Sequence, residues 1–223
     1  MSVSFPRVKR LLLATVCIVA LGCRSSAPPP AESVPVEQPA RPLAQLAAQR
    51  VILTPAFSLV TVDPLGWGAT IAHPRDYLRQ LDDELARELG ERGLRTQWVY
   101  PADLVRAAKA NPTYAADPYS LGVNVLRSNA MVSGSRYGDP LATQIRTMVA
   151  LHDGARAVLV PVELRFEKTD TGQGVAVLRL ALLDGRLGDI RWIGFVRGDP
   201  APALSRTVLA SLATHLADLI ASP

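Results

Sequence analysis

The stretch from Ala157 to Val196 constrains the fold most, because it reads as three strands in immediate succession. Ala157 to Phe166 opens apolar and then alternates, Gly174 to Leu183 returns as GVAVLRLALL, and Ile190 to Val196 forms a third run, IRWIGFV. Thr169-Asp170-Thr171-Gly172 and Asp184-Gly185 separate them, and Asp-Gly between alternating runs is a hairpin signal. Such a meander has apolar faces to bury and needs other elements to cover them.

Helices with matching stripes flank it. Residues 75–92 carry Leu78, Leu81, Leu85 and Leu89 on one face, with Gly90 and Gly93 as the stop. Ala102 to Ala110 turns Leu104, Val105 and Ala108 inward. Residues 141–153 do so through Leu141, Ile145, Met148 and Val149, capped by Gly154. Residues 201–221 align Leu204, Val208, Leu212, Leu216 and Leu219. Two short strands come earlier, Val51-Ile52-Leu53 and Thr96 to Tyr100, with a loop containing Trp67 between them. The order β-α-β-α-insert-α-β-β-β-α predicts an α/β (α+β) domain with a single mixed sheet covered by helices. Residues 111–139 are the insert, broken by Asn111-Pro112, Asp117-Pro118 and Asp139-Pro140. A loop of that length in a compact domain points to function or mobility.

The beginning of the chain has a different character. Arg7, Lys9 and Arg10 precede the apolar run Leu11 to Leu21, which ends in Ala20-Leu21-Gly22-Cys23. That order of basic, apolar and small residues is a secretory signal over residues 1–22, too short to span a bilayer. The run resembles a bacterial lipobox, with Ala20 where Leu is commoner. The resemblance implies that Cys23 carries a diacylglyceryl lipid and becomes the first residue. Arg24 in place of Asp then favours the outer membrane, facing the periplasm. Residues 24–43 are rich in Pro, Ser and Ala and poor in large apolar groups, so 23–44 reads as lipidated Cys plus tether. Such a tether spans roughly 25 Å as a coil and about 60 Å in polyproline form. Residues 45–223 form the globular domain.

Charge and cysteine count narrow the function classes. Three of the 24 basic residues lie in residues 1–22 and none of the 20 acidic ones does, leaving 21 basic against 20 acidic groups afterwards. A nucleic-acid binder needs a basic stripe, and none is visible. Cys17 lies in the apolar run, so cysteine-based zinc, redox or nucleophilic chemistry is not expected beyond Cys23.

Three segments resemble a family of envelope domains. These are Val51-Ile52-Leu53-Thr54-Pro55-Ala56-Phe57, Gly154-Ala155-Arg156-Ala157-Val158-Leu159-Val160-Pro161-Val162, and the run from Arg179 through Asp184 and Trp192 to Gly194. The family includes the amino-terminal domain of the Tol translocation protein B, the curli secretion lipoprotein and the lipoprotein activators of penicillin-binding proteins. Arg156 stands where the family has Asp, and Pro161 where it has Gly. The resemblance implies an accessory lipoprotein that docks onto an envelope protein complex without catalysis. A pore is not expected, since residues 111–139 lack paired ten-residue alternation.

The remaining chemistry is sparse. His73, His152 and His215 share no ligand spacing and read as solvated or capping, and no cofactor or metal is expected. Ser135 in Gly134-Ser135-Arg136-Tyr137-Gly138 is flanked by turns, not by a strand and a helix. Asp82, Asp83, Glu84, Glu88 and Glu91 read as a solvated helix face, with Asp83–Arg87 and Arg87–Glu91 as i,i+4 pairs. Loop aromatics Trp67, Tyr114, Tyr119 and Tyr137 are the candidate partner surface. The alternative function is a periplasmic small-ligand-binding or hydrolytic domain with residues 111–139 as a lid, which requires a pocket with convergent polar groups.

Overall fold

The computed structural model describes residues 43–153 and 155–221; the expectations for the signal, Cys23 and most of the tether, and for the Gly154 cap, lie outside the described residues. Five strands form one mixed sheet: β1 (Val51–Leu53), β2 (Trp98–Val99), β3 (Ala157–Lys168), β4 (Gly174–Asp184) and β5 (Asp189–Arg197). Their order is β2-β1-β3-β4-β5. β1 runs parallel to both β2 and β3, while β3, β4 and β5 are the expected antiparallel meander. Among the described residues five α-helices accompany them: α1 (Trp67–Thr70), α2 (Pro74–Leu89), α3 (Pro101–Ala110), α4 (Leu141–Leu151) and α5 (Arg206–Ile220). The α+β class read from the sequence is the one observed.

Helices lie on both faces of the sheet and divide the core in two. On one face α2 (Leu78, Leu81, Leu85, Leu89) and α5 (Val208, Leu209, Leu212, Leu216) pack on Val51, Leu53, Leu178 and Leu180. On the other, Leu104 of α3 and Leu141, Ile145 and Met148 of α4 pack on Ile52, Val158, Val160 and Ala181. Residues 51–53 therefore alternate between the two cores, as the period of two demands. β4 is buried along its whole length, which a strand covered on both faces must be.

Pro161 sits in the interior of β3 without a backbone N–H, and the register of β3 against β4 shifts there, between Pro161 and Glu163. A bulge is where a strand tolerates proline. The extra residue moves the side chains by one position: Val160 and Val162 both face the second core, and Leu164 returns to the first.

Several boundaries differ from the sequence reading. Gly90 does not stop α2: its φ is −64°, and the chain continues through a π-helical turn, Gly90–Leu94. The break comes at Gly93, whose φ of 84° belongs to the left-handed region. The last helix starts at Arg206 instead of 201, leaving Leu204 ahead of it yet packed against the core. The Asp184-Gly185 turn spans residues 185–188, inside the interval the sequence left between its strands. Its left-handed position is Gly188, and the Asp184 carboxylate accepts the N–H groups of Arg186 and Leu187. Leu43, assigned to the tether, is fully buried together with Leu46. The insert is neither loose nor without a core. Leu121, Val123 and Leu126 are buried in the second cluster, and residues 134–137 hydrogen-bond to Gly188 and Ile190.

Candidate functional site

After Leu53 the chain stays beside β3 without forming a regular strand. Thr54 N–H donates to Leu159 O at 3.0 Å and Phe57 N–H to Pro161 O at 3.2 Å. Between them, the Ala56 N–H points the other way and donates to Asp82 Oδ1 of α2 at 2.8 Å. The segment 54–57 is thus strung between the sheet and a helix, and the gap at its edge is a cleft.

Arg75, Leu78 and Arg79 of α2 line this cleft, with Ala56 and Phe57 on the floor and Asp117, Tyr119 and Ser120 opposite; its volume is about 230 Å³. Positions 75, 78, 79 and 82 share one helix face, so Asp82 continues the same stripe. The opposite rim is a 3₁₀ turn, Pro118–Ser120, built locally. Pro118 is buried, and the two Asp117 oxygens accept the Tyr119 N–H and the Ser120 hydroxyl, each at 3.0 Å. The Arg79 guanidinium lies 5.7 Å from the Tyr119 ring centroid and is paired with Asp76 at 2.8 Å. The Arg75 side chain makes no ion pair or hydrogen bond among the described residues.

Asp82 is the unusual group. It is 5% exposed, and its Oδ2 has no hydrogen-bond partner. Burial pushes its pKa up to about 7, against the opposing Ala56 N–H; Asp83 adds to the rise and Arg79 subtracts from it. Burial is also the main reason the Tyr119 hydroxyl is raised, with the Asp82 charge adding to it. The cleft therefore combines an unpaired guanidinium with an aromatic rim over an apolar floor, and Asp82 lies buried one turn beyond Leu78 on the same helix face.

Among the aromatic candidates, Tyr119 alone lines this cleft, at 40% exposed. Tyr114 is 61% exposed on the same insert, its hydroxyl bonded to Asn111 at 2.5 Å. Trp67 and Tyr137 are corrections. Trp67 is 9% exposed and packs edge-to-face on Phe166 at 5.6 Å, because α1 folds back over the sheet. Tyr137 is 4% exposed, and its hydroxyl donates to Asp184 O at 2.9 Å across the second core. A buried side chain presents nothing to a partner. Cys23 lies outside the described residues.

The acidic face of α2 is a second correction. Asp82, Glu84 and Glu88 are buried, not solvated. Glu84 pairs with Arg87 and with Arg206 of α5; Glu88 pairs with Arg87 and Arg92, and Arg92 reaches Asp218. Arg87 bonds Glu91 as expected, but its other partners are Glu84 and Glu88 in place of Asp83. These arginines outweigh the cost of burial and hold both glutamates below their usual pKa. His73 precedes α2 as its N-cap residue and His152 follows α4 as its C-cap residue, while His215 bonds Arg197 O and Asp199.

Sequence reasoning passed over Arg75, named Phe57 only within a resemblance segment, and read Asp82 as solvated. A signal for Asp82 was present: it falls four residues after Leu78 and three before Leu85, inside the apolar stripe. Among the described residues no group of three or more His, Cys, Asp or Glu could hold a metal, and no helix is long and apolar enough to cross a membrane.

No protein-family model and no curated protein matches this chain. Among solved structures it is similar to a PelC dodecamer variant from Paraburkholderia phytofirmans, with 14% identity, 78% of this chain and 90% of that chain covered, and a TM-score of 0.38. It is also similar to the LpoB C-terminal domain from Salmonella enterica, with 14% identity over 70% of this chain and 93% of that one, at a TM-score of 0.36. E. coli LpoB gives 12% identity over 90% and 91%, at 0.33. At these values nothing about function transfers from them.

Proposed function

We propose that this chain is a non-catalytic accessory lipoprotein of the bacterial envelope, anchored in the outer membrane through a lipid on Cys23 and facing the periplasm. Residues 23–42 act as the tether, and the domain docks onto an envelope protein complex through the insert surface carrying Tyr114 and Tyr119. The observation that carries this reading is the sequence Ala20-Leu21-Gly22-Cys23 behind a basic and apolar leader. The two exposed tyrosines support the choice of surface, since aromatics with polar tips concentrate at the centres of interfaces.

Two measurements test it together. Cys23→Ser is expected to move the protein from the membrane to the soluble fraction; full retention would mean that the polypeptide itself holds the membrane. A photoreactive residue at Tyr114 or Tyr119 is expected to capture one dominant envelope protein in vivo. Val62, 88% exposed, serves as the control site. Equal adduct patterns from Tyr119 and Val62 would remove the insert as the docking surface.

A second reading has its own observation. The cleft under the Pro118–Ser120 turn favours small-ligand binding. In that case the insert serves as a fixed wall, because Leu121, Val123 and Leu126 are buried in the core.

A further inference from the structure

We propose that the open edge of β5 receives an extended, acidic segment of another polypeptide as a further strand of the sheet. The inference rests on backbone geometry and charge, and it is independent of the lipid anchor and of the surface carrying Tyr114 and Tyr119.

β5 is the last strand of the sheet, and its outer side is covered only at the two ends. The insert pairs with its beginning: Gly134 N–H donates to Ile190 O at 2.7 Å, and Ile190 N–H to Ser135 O at 2.8 Å. Past its end, Gly198 N–H turns inward to Ala176 O at 2.9 Å. Antiparallel alternation therefore turns the N–H and C=O of Ile193, Phe195 and Arg197 outward. His215 of α5 takes Arg197 O through Nδ1 at 2.7 Å. Ile193 and Phe195 lie between these closures, and their outward groups have no hydrogen-bond partner among the described residues. A shallow groove of about 390 Å³ borders this stretch, with Phe195, Val196 and Arg197 on one side and His215, Asp218 and Leu219 on the other. Unpaired edge groups template another strand, and the insert already uses the same edge in that way.

Charge selects the occupant. Phe195, 47% exposed, shares its face of the sheet with Arg165 of β3, Arg179 of β4 and Arg197. The Arg165 and Arg179 guanidinium groups lie 4.5 and 5.5 Å from its ring centroid. One carboxylate, Glu167, serves both Arg165 at 2.7 Å and Arg197 at 2.6 Å. Arg179 is held by the neutral acceptors Ser128 O and Asn129 Oδ1 and has no ion pair among the described residues. Glu163, its neighbour in register, is taken by Arg127 at 2.6 Å. Arg127, Arg165, Arg179 and Arg197 are thus answered by two carboxylates only. The acids on the α5 side are matched, Asp218 by Arg92 and Asp199 by His215. A second copy of the chain paired edge to edge would set the basic surplus against itself, which disfavours that occupant. In an added strand every second side chain falls beside Phe195 and Arg197, so acids at alternate positions answer the surplus. The intervening side chains turn towards Val196 and Leu219 and suit aliphatic residues.

The probe is the peptide Glu-Val-Glu-Val-Glu-Val, acetylated and amidated, titrated into the full chain while NMR follows amide-proton exchange residue by residue. It is expected to bind saturably and to slow exchange at Ile193 and Phe195 by about tenfold or more. Two altered peptides separate charge from backbone pairing. Lys in place of Glu reverses the charge, and N-methylation at the glutamates removes the N–H groups that meet β5. Each is expected to bind roughly tenfold more weakly. The double variant Arg165→Gln, Arg197→Gln, its fold checked by circular dichroism, is expected to lose roughly tenfold for the acidic peptide; if it does not fold, the two altered peptides still decide. Equal binding of the Lys peptide would overturn the acidic assignment. Binding that leaves exchange at Ile193 and Phe195 unchanged, or that tolerates N-methylation, would overturn strand addition, as would the absence of saturation. Protection of the same two amides that rises with protein concentration, without peptide, would assign the edge to a second copy and overturn the proposal.

Discussion

Asp82 shows how one side chain can couple local geometry to solution conditions. The backbone at Ala56 is held off the sheet by Asp82 Oδ1, so the carboxyl group has to be buried, and burial raises its pKa to about 7. The folded state therefore binds this proton more tightly than the unfolded chain, whose aspartates titrate near about 3.9. The resulting stabilisation is complete below that value and is lost as pH climbs to about 7. Asp82→Asn keeps an acceptor for the Ala56 N–H and cannot ionise. Its melting temperature is expected to exceed that of the parent at pH about 8, by an equivalent of roughly 2 kcal/mol, and to match or fall below it at pH about 5. A constant difference at both pH values would show that Asp82 does not titrate in this range. Asp184 behaves in the opposite sense. Although fully buried, it accepts two backbone N–H groups and the guanidinium groups of Arg156 and Arg191, and these hold its carboxyl well below the usual range. The burial of Asp82 was signalled by its place between Leu78 and Leu85, but its bond to Ala56 and the partners of Asp184 were not legible, because they come from distant parts of the chain.

At the scale of elements, strands and long helices were legible because their periodicity is local. The meander and four of the helices stand within a few residues of their expected places. The α2 acids were misread because an amphipathic pattern shows one buried face only. α5 lies against α2, and Arg206 from that helix covers Glu84. Trp67 was misread for a related reason. Asp63 ties the turn down by accepting from the N–H groups of Leu65, Trp67 and Gly68, and α1 then swings the indole onto the sheet. It lands on Gly174 at the start of β4. A Cβ there would sit 2.2 Å from Trp67 Cη2. Gly174→Ala is therefore expected to displace the indole from Phe166 and to cost about 2 kcal/mol, within the range for overpacked cores. Urea denaturation measures the loss, and near-ultraviolet dichroism reports on the indole. An unchanged tryptophan signal would mean that the sheet, not the plug, gives way.

For the whole molecule, the position of the domain edge decides which residues carry the fold. The sequence placed that edge at residue 45, on composition. Packing places it earlier, since Leu43 and Leu46, flanking and within the 3₁₀ turn Ala44–Ala48, are fully buried in the core shared by α2 and α5. Each fully buried leucine contributes about 2 kcal/mol by removal of its surface from water. Deleting residues 1–42 is therefore expected to leave the melting temperature of the domain unchanged. Extending the deletion through residue 48 removes both leucines and is expected to cost about 4 kcal/mol, a large fraction of the stability of a typical domain. Thermal and urea unfolding of the two truncations checks the difference. Equal stability would show that the 3₁₀ turn contributes nothing to the fold. The expected difference would show that the folded body begins at Leu43, with its first turn held in the core that α2 and α5 share.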